Sequence, residues 1–172
     1  MPQNRERIFI VAFSEPIQFE FPSQTRHSIY KSVGDVLESQ TDPYFTISDR
    51  MWEGHQRRLQ EHRNKGNGFG YSLFDKKDEY VNTISARYWK DGSEILIAQK
   101  NKNPRILTPR ECARIQGYPE KFQPHESKRY AYQQFGNSVA VPVIFAIAQQ
   151  IRIALKESAP ALEMIKNEPV IL

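Results

Sequence analysis

The sequence predicts an α/β fold in fragment form: one strand and one C-terminal helix bracket a small, mixed α+β domain. Three observations predict it. Arg7-Ile-Phe-Ile-Val-Ala-Phe13 is a continuous apolar run rich in β-branched and aromatic residues, the pattern of a strand covered on both faces. Val143, Ile144, Ile147 and Ile151 recur at helical spacing, which predicts an amphipathic helix from near Val141 to Lys156. Eleven prolines and eight glycines in 172 residues break up the middle of the chain and favour loops over a helical bundle.

The elements follow in order. A strand over 7–13 needs neighbours on either side, and the next segments do not obviously supply them. Residues 14–47 hold scattered prolines and aromatics, with one helical candidate near Ser32–Glu38. Thr46-Ile-Ser-Asp-Arg-Met-Trp52 looks like a helix start, with Ser48 as N-cap and Asp49 at the positive end of the dipole. That helix is predicted to reach about Arg63, with Met51, His55 and Leu59 on one face and Arg50, Arg57 and Arg58 on the other. Gly66-Asn-Gly-Phe-Gly70 cannot be helix and suggests backbone lying close to something else. Val81–Trp89 and Glu94–Ala98 read as two strands, with Asp91-Gly92 as the hairpin signal between them. Gln99–Pro104 reads as a polar linker. Thr108 is the N-cap of a short helix, with Pro109 at its first position, Glu111 three residues after the cap and Gly117 as the stop. Gly136-Asn-Ser138 is expected to open the final helix, and Ser158–Leu172 to form a loosely held tail.

Composition narrows the classes. A net charge of +4 permits nucleic acid as a partner without demanding it. One cysteine excludes an internal disulfide framework and a Cys-rich zinc site, and suits a reducing cytoplasm. No apolar stretch approaches the ~20 residues of a spanning helix, so the chain is expected to be soluble and cytoplasmic, with no membrane partner. His55 and His62 stand seven apart without cysteine or acidic companions, and no metal is expected.

Three blocks, in order, resemble the DNA (cytosine-5) methyltransferases. Arg105-Ile-Leu-Thr-Pro-Arg-Glu-Cys-Ala-Arg-Ile-Gln-Gly-Tyr-Pro119 is similar to that family's ninth conserved block almost residue for residue. Tyr132-Gln-Gln-Phe-Gly-Asn-Ser-Val139 resembles the tenth, and Pro2-Gln-Asn-Arg-Glu-Arg-Ile-Phe-Ile10 the eighth, the Gln-x-Arg-x-Arg block. The interval between the eighth and ninth blocks is where such enzymes carry a target-recognition domain. Here Thr46–Trp52, Lys65–Tyr71 and Thr83–Gly92 are similar to a subgroup that methylates CC-x-GG sites, with Thr83-Ile84 where the family usually shows Thr-Leu. The resemblance implies the C-terminal portion of such an enzyme. Residues 1–13 would be a strand of an S-adenosylmethionine-dependent, Rossmann-like catalytic domain, and 14–104 the recognition domain. Residues 105–157 would return to the catalytic domain, and 158–172 would be tail.

Methylation at C5 requires the cytosine to leave the stack before a thiolate adds at C6. The resemblance implies that Arg7 contacts the flipped base, with Arg5 and Gln3 supporting it and the DNA backbone nearby. An alternating Arg-x-Arg at a strand start would place both guanidinia on one face. It further implies that Asn137 and Ser138 complete the S-adenosylmethionine pocket. For double-stranded DNA, Arg57, Arg58, Arg63 and Lys65 form a basic stretch beside the glycine loop; Arg87, just past Thr83, is the candidate base reader. Arg105, Arg110, Glu111 and Arg114 are expected to form ion pairs between the domains. Cys112 follows Glu111 rather than proline and reads as packing, not as a nucleophile.

The family's Phe-x-Gly-x-Gly cofactor loop, Pro-Cys nucleophile and Glu-Asn-Val block occur nowhere in these 172 residues. The expectation is therefore a recognition part that works only with a second polypeptide carrying those blocks, and is inactive by itself. The rival expectation is an inactive remnant or a non-enzymatic DNA-binding module.

Overall fold

A computed structural model describes residues 2–23 and 30–166, with side chains up to residue 158. The chain divides into two compact units, Met1–Arg5 with His27–Val139, and Glu6–Arg26 with Ala140–Leu172. Residues 105–139 cluster in the same unit as 30–104.

In the first unit, helix α1 (Asp49–Asn64) begins as its sequence predicts, with the Ser48 hydroxyl accepting from the Met51 N–H at 3.3 Å. Its inward side differs from the expected Met51–His55–Leu59 face. Met51 is 37% exposed, and the covered positions are Trp52, His55, Leu59 and His62. His55 and Leu59 stay on the inward face as expected, but Trp52 takes the place of Met51 because it packs against Tyr71, with ring centroids 4.8 Å apart. His55 is buried with Nε2 3.3 Å from the Asp91 carbonyl, and burial holds its imidazole below the usual pKa. Gly66, at φ +71°, ends the helix; its N–H and that of Asn67 turn back to the Arg63 and His62 carbonyls.

Three short strands follow, β1 (Leu73–Phe74), β2 (Leu96–Gln99) and β3 (Lys102–Arg105). β2 is central, parallel to β1 and antiparallel to β3. The hairpin is therefore one step later than predicted. It turns at Lys100–Asn101, with Asn101 at φ +56°, and the expected polar linker supplies β3. The segment expected as a strand over Val81–Trp89 instead coils through turns from Ser85 to Gly92. Tyr88 is the physical reason. Its side chain is fully buried, donating to the Ile95 carbonyl at 2.6 Å and accepting from the Leu107 N–H at 2.8 Å. An extended strand would point alternate residues outward instead of drawing this turn inward. The helical candidate near Ser32–Glu38 is a single 3₁₀ turn, Val33–Asp35.

Helix α2 (Pro109–Ile115) forms as predicted, with both halves of the Thr108/Glu111 capping box made and Gly117 at φ +80°. Helix α3 (Lys128–Asn137) was not expected. Its sequence offers only a narrow apolar stripe, Ala131, Tyr132 and Phe135, all buried. Gly136 lies against backbone: a Cβ there would sit 2.2 Å from the Ala86 nitrogen and 2.3 Å from the Ser85 carbonyl carbon. Val33, Val81, Ile84, Ile95, Leu107, Ile115 and Phe135 join Tyr88 and Tyr132 in one core.

At the centre of this unit is a buried ion pair. Arg105 donates to both Glu111 oxygens at 2.7 and 2.8 Å, with both side chains almost inaccessible. The same carboxylate accepts the Glu38 and Thr108 backbone N–H groups, each at 2.8 Å. Four donors leave no lone-pair direction idle, the condition under which a buried charge is tolerated. Arg114 pairs with Glu120 at 2.7 Å, whereas Arg110 makes no ion pair among the described residues.

In the second unit, helix α4 (Val141–Lys166) buries Ile147 and Ala154 and leaves Ile144, Phe145, Ile153 and Leu155 exposed. It continues past Lys156 through most of the segment expected as tail; residues 167–172 lie outside the described residues. The strand expected over Arg7–Phe13 is not formed. Ile8 and Ile10 are 90% and 89% exposed, because no described strand of this unit offers the backbone partners a strand requires. Phe13, Phe19 and Phe21 instead stack in sequence, with centroids 5.8 and 5.0 Å apart.

Three outcomes follow from this packing. Glu111→Ala strands Arg105 and two backbone N–H groups, and should lower stability by about 3–5 kcal/mol in urea unfolding. Gly136→Ala would ordinarily stabilise a helix by roughly 1 kcal/mol. Here it should cost about 1–3 kcal/mol by overpacking. Gly68→Ala, with nothing within 4 Å of the new methyl, should stay within about 0.5 kcal/mol in the same assay.

Candidate functional site

The N-terminal residues of the first unit run beside Val81. The Asn4 N–H donates to the Val81 carbonyl at 2.8 Å, and the Val81 N–H to the Pro2 carbonyl at 3.0 Å. This pairing buries Gln3 to 8% exposure, and neither amide atom of its side chain meets a hydrogen-bond partner. Thr83 is held by its hydroxyl, which donates to the Asn4 carbonyl at 2.6 Å.

Arg5 ties these parts together. Its guanidinium donates to the carbonyls of Ile84 at 3.1 Å, Gly136 at 3.0 Å and Ser138 at 2.5 Å. The last two belong to the C-terminal turn of α3, where an arginine satisfies orphan carbonyls and complements the negative end of the dipole. The structure thus brings Gln3, Arg5, Thr83, Asn137 and Ser138 into one neighbourhood. Arg7 belongs to the other unit, where it is exposed and donates to the Glu6 carbonyl at 2.6 Å. The strand over 7–13 that was expected to present Arg7 is not formed.

Asn137 and Ser138 line a cavity of about 650 Å³ with Tyr118, His125, Tyr130, Gln133 and Gln134. The expected helix start at Gly136-Asn-Ser138 is instead a helix end. Gly136 and Asn137 close α3, and Ser138, its C-cap, sends its N–H to the Phe135 carbonyl at 3.2 Å. The Ser138 hydroxyl lies 3.0 Å from the Tyr118 hydroxyl and donates to the Val139 carbonyl at 2.9 Å. The Asn137 amide is exposed at the cavity and offers both a donor and an acceptor. A wall of tyrosine rings, amides and hydroxyls suits a nucleoside-type ligand with polar substituents.

The basic candidates lie along α1 and beyond it. Arg57 makes an exposed pair with Glu61 at 3.8 Å, and Arg58 reaches Asp91 at 3.2 Å. Burial alone would raise the Asp91 pKa. Hydrogen bonds from Ser93 and Arg58 outweigh it and hold the carboxyl below its usual range. Arg63 and Lys65 are exposed and make no ion pair among the described residues. Arg87 is exposed, on a turn fixed by its own N–H donating to the Ser85 hydroxyl at 3.1 Å.

Sequence reasoning missed a cation–π cluster on the same unit. The Arg129 guanidinium lies 4.5 Å from the Trp89 ring centroid, and the Lys128 ammonium 3.5 Å from that of Tyr44. These pairs join residues far apart in the chain, so spacing gave no signal. Cys112 is fully buried, and burial pushes its thiol well above the usual pKa. A thiol held neutral in the core is no nucleophile. Among the described residues no group of His, Cys, Asp and Glu could hold a metal ion. None of the described helices is singly long and apolar enough to cross a membrane.

The chain is 56% identical over 155 residues to Type II methyltransferase M.DsaV of Dactylococcopsis salina, covering 88% of this chain and 44% of that protein. It is 54% identical over 163 residues to Type II methyltransferase M1.ScrFI of Lactococcus lactis subsp. cremoris, covering 92% and 41%. The chain thus spans less than half the length of these curated relatives. Among solved structures it resembles the Entamoeba histolytica methyltransferase EhMeth with a TM-score of 0.59 at 18% identity, covering 83% of this chain and 45% of that one. It also resembles the S. pombe Dnmt2 methyltransferase, with a TM-score of 0.58 at 16% identity over 77% and 44% of the two chains. At that identity the likeness is one of fold. The family model for C-5 cytosine-specific DNA methylases matches residues 1–152, and with more than half of its sequence matched the chain belongs to that family.

Proposed function

We propose that this chain is the DNA-recognition part of a DNA (cytosine-5) methyltransferase of a restriction–modification system. It would act on duplex DNA together with a second polypeptide that carries the cofactor loop and the Pro-Cys nucleophile. One observation carries the reading. Arg5 of the eighth block donates at once to Ile84 in the recognition interval and to Gly136 and Ser138 in the tenth block. The segments that the family uses for base handling, DNA reading and cofactor binding therefore meet at one guanidinium.

S-adenosylmethionine, when bound, supplies an electrophilic methyl group on a sulfonium. Asn137 offers its amide to that cofactor from one wall, while Tyr118 orients the Ser138 hydroxyl beside it. Arg5 does not face a base. It acts as a positioning residue, holding the end of α3 against the turn at 84–86. Arg7, exposed and without a carboxylate partner among the described residues, is the group free to meet the flipped cytosine. Gln3, the other eighth-block residue assigned to base support, is held by its backbone pairing with Val81. Thr83, anchored to Asn4, and Arg87, on its fixed turn, face the DNA. Arg57, Arg58, Arg63 and Lys65 hold phosphates, and residues 14–104 act as the recognition domain. Its three similar segments favour a CC-x-GG site. With Cys112 buried, the thiolate comes from outside these 172 residues. The exposed Ile8 and Ile10 suit a chain that completes its sheet there.

The test is transfer of labelled methyl from S-adenosylmethionine to duplexes containing CC-x-GG sites. The chain would be assayed alone and mixed with the N-terminal half of a relative such as M.DsaV. Activity is expected only in the mixture. No transfer in either tube, with both proteins folded, would favour a non-catalytic DNA-binding remnant. In the active mixture, Arg87→Ala should cost about 1–3 kcal/mol in DNA binding and relax the choice of one base pair.

A further inference from the structure

The loop after α1 leaves a large apolar side chain in water to which no role has yet been given. Phe69 is 70% exposed, more than any other aromatic among the described residues. The loop that carries it is fixed at both ends. Gly66 adopts φ +71° and the Asn67 N–H returns to the His62 carbonyl at 2.9 Å. Gly70 lies so close to α1 that a Cβ there would be 2.4 Å from Cδ1 of Leu59. Between these anchors the phenyl ring touches the His62 ring edge-on, with centroids 5.7 Å apart, and presents the rest of its surface outward. Arg63 and Lys65 are exposed close by in the sequence and make no ion pair among the described residues. The ligand that matches an outward phenyl flanked by cations has a dense negative exterior and flat apolar faces inside. Duplex DNA has both.

We infer that Phe69 is a wedge that enters a base step of the bound duplex while Arg63 and Lys65 hold the adjoining phosphates. This rests on the reading that the chain binds DNA, and it adds a base-contacting residue outside the turn at 83–87. Insertion parts two stacked bases, and the freed apolar faces repack on the phenyl ring. A ring held by two anchored ends loses little freedom on entering, so the fixed loop favours contact over an unconstrained one.

The full chain would be titrated against fluorescein-labelled duplexes containing a CC-x-GG site, and against a series with 2-aminopurine at each position in turn. Wild type should bind and change 2-aminopurine emission at one step. Phe69→Ala should bind about tenfold or more weakly and lose that emission change, and Phe69→Trp should retain both. Its thermal midpoint should match wild type, because the ring covers little of the protein. Lys65→Ala should weaken binding to all sequences alike and reduce the salt dependence. Wild type that binds while Phe69→Ala binds equally and keeps the emission change would overturn the wedge and leave the proposed function standing. A folded wild-type chain that binds no duplex would instead overturn DNA recognition itself.

Discussion

The buried Arg105–Glu111 pair is the constraint on which the larger unit depends. Removing two charges from water costs several kcal/mol per ion after relaxation. That cost is met only because the Glu111 carboxylate is saturated by the Arg105 fork and by the N–H groups of Glu38 and Thr108. These donors come from three places in the chain: the loop after the first 3₁₀ turn, the end of β3, and the N-cap of α2. Drift of any of them leaves part of the buried carboxylate without its donor, so the pair fixes register more than it adds stability. Tyr88 and Tyr132 extend the same logic, tying Ile95 and Leu107 together through buried hydroxyls.

From that hub the functional surfaces inherit their positions. The Tyr132 hydroxyl donates to the Leu107 carbonyl at 2.5 Å, and the Gln116 amide to the Phe135 carbonyl at 2.9 Å. Helix α3 is thereby held to the segment that carries the ion pair. Its end then receives Arg5, and its last turn rests on residues 85–86. The cavity beside Asn137 and the turn bearing Arg87 are thus opposite ends of one mechanical chain built from side chain-to-backbone hydrogen bonds. Such bonds depend on where the backbone runs rather than on which residues it carries.

Local signals were legible and long-range ones were not. The Ser48 cap, the Thr108–Glu111 box and the Gly117 stop each involve groups a few residues apart, and each formed as the sequence predicts. The failures share a cause. The apolar run at Arg7–Phe13 is strand-like, but forming a strand requires partners that residues 6–23 do not contain. The turn from Ser85 to Gly92 is set by Tyr88 reaching Leu107, nineteen residues on. Helix α3 is marked by little more than its contact with that turn. At the candidate site, the family blocks named Arg5, Asn137 and Ser138, yet only the structure shows that Arg5 is spent on carbonyls. The cation–π pairs of Lys128 and Arg129 join distant segments, and no spacing rule reveals them.

The contact between Gly136 and the backbone of Ser85 and Ala86 bears on how such a protein can diversify. The helix meets the turn through main-chain atoms, so the joint is blind to the side chains that the turn displays on its other side. Side chains displayed by that turn can then change while the socket that seats it stays the same. A surface mounted this way can vary what it displays without altering its attachment to the end of α3.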